Sequence, residues 1–88
     1  MNRDDGFEEL RTLFAEDLAA KIKTLRVAVT DSDWDAIDRI SHQLGGTAKS
    51  FGYPDISVTA RELERSVRKI SLEEAAVFIN KISDMFVL

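Results

Sequence analysis

Apolar residues recur along this chain at steps of three and four, the spacing that lines them up on one face of a helix. Strand-like alternation never runs far, and no Asn-Gly pair joins two apolar runs. The pattern predicts four helices. The first runs from about Asp5 to about Val29, with Phe7, Leu10, Phe14, Leu18, Ile22, Leu25 and Val29 as its stripe. Thr30-Asp31-Ser32-Asp33 is a break rich in N-cap residues. The second helix follows, with Trp34, Ile37, Ser41, Leu44, Ala48 and Phe51 on one side. Gly52 suits a C-cap and Pro54 the first turn of the third helix. That helix carries Ile56, Ala60, Leu63, Val67 and Ile70. Ser71-x-x-Glu74 is a capping box, and the fourth helix presents Ala75, Phe78, Ile79, Ile82, Met85 and Phe86. Amphipathic helices with short joints predict an all-α fold, an antiparallel up-down-up-down four-helix bundle. With no repeat or linker, residues 1–88 read as a single domain.

Composition narrows the functional classes. A hydrophobic fraction of 44% is enough for a core in a chain of 88 residues. Sixteen acids against 12 bases give a net charge of -4, which argues against a nucleic-acid partner. The absence of cysteine excludes a disulfide framework, a zinc ribbon and a thiol nucleophile, and a single histidine argues against a zinc site. Met1-Asn2-Arg3-Asp4-Asp5 lacks the basic-then-apolar pattern of a signal peptide, and no apolar run has membrane-spanning length. The expectation is a cytoplasmic protein without a membrane partner.

One local conflict stands out. Gly45-Gly46 falls where the apolar period continues on both sides, and each glycine costs a helix interior about 1 kcal/mol relative to alanine. Either the helix ends at Leu44 or it runs on through a site where local stability yields to function. His42 favours the second reading. On a helical projection it points roughly 135° away from the centre of the stripe, so it should face water. Gly45 and Gly46 are its i+3 and i+4 neighbours, and the imidazole is expected to stand beside bare backbone that a partner surface can approach.

The chemistry that fits is reversible phosphorylation of a ring nitrogen. Neutral imidazole is nucleophilic near pH 7, and a phosphoryl group on nitrogen stays activated enough to be passed on. Transfer to a carboxylate needs an in-line approach and nearby positive charge. Lys49 at i+7 and Arg39 at i−3 are candidate supports on the same helix. Arg61 and Arg65 come level with His42 if the chain reverses near Gly52-Tyr53.

His42-Gln43-Leu44-Gly45-Gly46, followed by Phe51-Gly52, resembles the signature of histidine-containing phosphotransfer domains, His-x-Leu-Lys-Gly and then Phe-Gly. The family's downstream Leu-x-x-Leu-Cys-x-x-Leu-Glu becomes Ile56 to Glu64 here, in register. The resemblance implies a four-helix bundle that is a carrier and not an enzyme. It implies a phosphoprotein of a two-component phosphorelay, accepting a phosphoryl group on His42 from a receiver-domain aspartate and passing it to another. The implied partners are the receiver domains of a hybrid histidine kinase and a response regulator. Magnesium is expected on the receiver only, with no cofactor on this chain. Gly46 matches the glycine that leaves room for the receiver. The family's lysine is Gly45 here, and Lys49 is expected to replace it in part. Leu13 and Ile40 are candidates for an apolar docking patch.

The alternative is a helical module that binds a receiver or kinase without carrying phosphate. A monomer is expected, although Phe86-Val87-Leu88 offers an association patch. The initial methionine favours a free protein over a piece of a hybrid kinase. Adjacent Ser41 and His42 face different directions, which leaves no Ser-His-Asp set. Gly45 to Ser50 lacks the Gly-Lys-Ser ending and preceding strand of a phosphate-binding loop.

Overall fold

The computed structural model describes residues 3–86, with side chains described from Glu8 onward. Four helices account for almost all of them: α1 (Arg3–Thr30), α2 (Trp34–Thr47), α3 (Pro54–Ser66) and α4 (Leu72–Phe86), with a 3-10 turn over Ala48–Phe51 continuing α2. Each helix packs on the next, and α4 closes against α1, which is the antiparallel up-down-up-down arrangement. Among the described residues there is no strand, and no helix is long and apolar enough to cross a membrane.

The boundaries follow local chemistry. Asp33 caps α2, its side chain accepting from the Ala36 N–H, a contact of about 1 kcal/mol. Ser32 reaches its left-handed turn at φ 56°. Gly52 takes φ 93° after the 3-10 turn, a conformation that glycine reaches without a Cβ penalty, and Pro54 opens α3. Ser71 and Glu74 exchange side-chain-to-backbone bonds of 2.9 and 3.0 Å, the reciprocal capping box.

One core runs through the bundle: Phe14, Leu18, Ile22 and Leu25 of α1, Ile37, Ile40 and Leu44 of α2, Ile56 and Leu63 of α3, Ile79 and Ile82 of α4. Full burial of each large side chain contributes about 2 kcal/mol.

Three expectations from periodicity need correction. Leu10 is exposed, as are all of residues 8–13 of α1; Phe14 is the first buried position among the described residues. Phe51 is exposed too, lying flat on Phe14 with ring centroids 4.3 Å apart. The third helix stops at Ser66 and does not reach Ile70. Val67 leaves the helical region at ψ 135° and Arg68 turns left-handed at φ 68°. Val67 and Ile70 still pack on the core from this turn, which is how an apolar step of three outlasts the helix. Of the proposed docking pair, Leu13 is exposed and Ile40 is buried. The Phe7 side chain, Val87 and Leu88 lie outside the described residues; Phe86 packs against the core.

Candidate functional site

Helix α2 does not break at the twin glycines. It runs through both to Thr47 and then tightens into the 3-10 turn. His42 therefore projects from an unbroken rod, and its side chain is 76% exposed. Ser41, beside it in sequence, is fully buried.

The antiparallel α2–α3 pair is cross-linked in register. Arg68, in the turn that follows α3, pairs with Asp35 at one level. One turn and more along, Glu64 Oε2 lies 2.8 Å from His42 Nδ1. Beyond that, Ser57 and Arg61 donate to the Gly45 carbonyl. The buried faces at this last level are small, Gly45 and Ala48 on α2 against Ser57 and Ala60 on α3. Small side chains let the axes approach, so α3 donors reach α2 backbone. The carbonyl needs them, since the last turn of an α-helix leaves carbonyls without intrahelical partners.

Glu64 was not singled out by sequence reasoning, although the motif that ends on it was. Its carboxylate only accepts, so Nδ1 is the donor, and in the neutral ring this leaves the lone pair on Nε2. Nε2 has no hydrogen-bond partner among the described residues. The ring is thus oriented, held in one tautomer and open at its nucleophilic nitrogen.

His42, Gly45, Gly46, Arg61, Glu64 and Arg65 line one shallow cleft of about 360 Å³. Two of the four basic candidates, Arg61 and Arg65, are brought to the histidine. The other two do not line the cleft: Arg39 is exposed on α2 and Lys49 sits on the 3-10 turn.

Of the two glycines, one departs from expectation. Gly46 is exposed, and a Cβ added there meets nothing within 4 Å, as the open-ledge reading predicts. Gly45 is buried and faces α3, not a partner: a Cβ there would lie 2.8 Å from Arg61 Cγ. No group of three or more His, Cys, Asp or Glu among the described residues is arranged to hold a metal ion.

Residues 9–86 match the family model of the Hpt domain, a span that takes in all of α2, α3 and α4 and most of α1. Over 51 residues the chain is 37% identical to the seed allergenic protein RA5 of Oryza sativa subsp. japonica, a match covering 58% of this chain and 32% of that protein. No solved structure matches the chain. A four-helix bundle bearing an exposed, carboxylate-anchored histidine, matched almost from end to end by the family model, belongs to the Hpt domain family, the phosphocarrier modules of two-component signalling.

Proposed function

We propose that this chain is a phosphorelay carrier whose phosphorylated atom is His42 Nε2. The observation that carries the reading is the pairing of Nδ1 with Glu64 at 2.8 Å on a ring that is otherwise exposed. The donor is the acyl phosphate of a receiver-domain aspartate. The Nε2 lone pair attacks phosphorus in line, the N–P bond forms, and the P–O bond to the aspartate breaks, returning a free carboxylate. Nδ1 keeps its proton, so the ring becomes an imidazolium, and the Glu64 carboxylate stands against that new charge. The phosphoryl group leaves by the reverse step, to the carboxylate of a second receiver. The chain supplies a positioned nucleophile and no turnover of its own; magnesium and the in-line geometry come with the receiver.

The test is incubation with phosphorylated receiver domains, followed by acid and alkali treatment of the labelled chain. Label that is acid-labile and base-stable in the wild type and missing from His42→Ala supports the carrier. Label persisting on His42→Ala refutes the assignment. Stable receiver binding with no label on the wild type would support the phosphate-free interaction module instead.

A further inference from the structure

We infer that Arg61 is the cation that grips the phosphoryl group on His42, reaching it from α3 across the bare Cα of Gly45. The inference rests on the carrier reading above and names a residue that acts within it.

The side chain is already held in place. Nε and Nη2 donate to the Gly45 carbonyl at 3.1 and 2.9 Å, and the stem lies where a Cβ of residue 45 would be. A guanidinium has five N–H groups and no acceptor. Those two bonds use one edge of the fork, and the N–H groups on Nη1 have no acceptor among the described residues. Arg65 lines the same cleft with no side-chain hydrogen bond or ion pair among the described residues to hold it. Arg61 is therefore the pre-organised cation and Arg65 the mobile one. Glu64, the anion of the cleft, is bonded to His42 and makes no ion pair with Arg61.

A phosphoryl group on Nε2 brings about two negative charges and three acceptor oxygens into this cleft. Its oxygens meet the free N–H groups of Arg61 in a charge-assisted pairing, and the same contact acts on the transition state, where charge spreads over those oxygens. Gly45 is what makes this possible, since any side chain there displaces the arginine stem.

The experiment labels His42 with phosphoramidate, a small donor that needs no receiver docking, and follows uptake and decay by intact-mass spectrometry. The proteins are wild type, Arg61→Ala, Arg61→Lys and the pair Gly45→Lys with Arg61→Ala, each checked for folding by circular dichroism. Arg61→Ala is expected to slow uptake about tenfold, the size of one charged hydrogen bond. Arg61→Lys should recover part of it. The double variant should recover most, because it returns a cation one turn from His42. A merely structural Arg61 cannot give that recovery, since the introduced lysine does not restore the bonds to the residue 45 carbonyl. Wild-type uptake and decay in folded Arg61→Ala would overturn the inference, as would a folded double variant as slow as Arg61→Ala. A wild type that takes label from neither phosphoramidate nor receivers fails at the carrier reading instead, and removes the role of Arg61 with it.

Discussion

Gly45 and Gly46 are adjacent on one helix and chemically identical, yet they lack a side chain for opposite reasons. Gly45 is turned toward α3, where Arg61 occupies the volume a Cβ would need. Gly46 is turned to water, where an added Cβ has nothing within 4 Å. Advancing one residue rotates the azimuth by about 100°, enough to pass from an internal contact to an external one. The first glycine serves the molecule's own packing, and through it the cleft beside His42. The second leaves an open ledge, which the carrier reading assigns to a docking receiver. The lesson is that a glycine's conformational cost in a helix does not reveal its purpose; what its missing Cβ would touch does.

The largest expected effect on this contrast comes from Gly45→Leu. A bulky side chain at this buried position must force α3 away or expel Arg61, at a cost of about 2 kcal/mol or more read as a lower urea midpoint. Gly46→Leu should show no such loss; equal destabilisation at both sites would break the distinction. Next is Gly46→Gln, which fills the ledge with a good helix former. Transfer from a receiver should fall about tenfold, or about 1.4 kcal/mol, while labelling by phosphoramidate stays unchanged. A parallel fall in both would mean that the ledge serves the histidine and not the partner.

Smaller, and opposite in sign, are the two alanine substitutions. Gly46→Ala should stabilise the fold by about 1 kcal/mol through helix propensity. Gly45→Ala gains the same but loses the Arg61 bonds to the carbonyl, about 2 kcal/mol for a charged donor, for a net loss of about 1 kcal/mol. Thermal melts of the pair, moving apart from wild type, are the cheapest check. The smallest effect belongs to Glu64→Gln on the far side of the cleft. The amide oxygen still accepts from Nδ1, so orientation survives and only the charge is lost. Phosphoryl uptake should slow a few-fold, and Glu64→Ala, which loses orientation as well, should be slower again.

Much of this was legible in the chain because it is local. Helix caps depend on residues within one turn of each other, so Asp33, Gly52-Pro54 and Ser71 with Glu74 marked the joints correctly. His42 off the stripe is likewise a matter of azimuth within one helix, and its exposure agrees. Errors gathered where the local rule runs past its support. Leu10 continues a stripe in a stretch of α1 that none of the described residues buries, and Ile70 continues one after the helix has ended. Lys49, reckoned as two turns along one α-helix, lies instead on the 3-10 turn and does not line the cleft of His42.

By itself, then, the sequence determined the number of helices, the caps that start them, most of their buried faces and the one imidazole left in water, because these depend on periodicity and on neighbours within a turn. Only the tertiary structure decided that Glu64 holds the ring, that Arg61 and not Lys49 shares its cleft, and that one glycine faces inward and the other out. Those outcomes depend on how closely α2 and α3 approach and at what register. That spacing is set by small side chains on two helices at once, which no single stretch of sequence records.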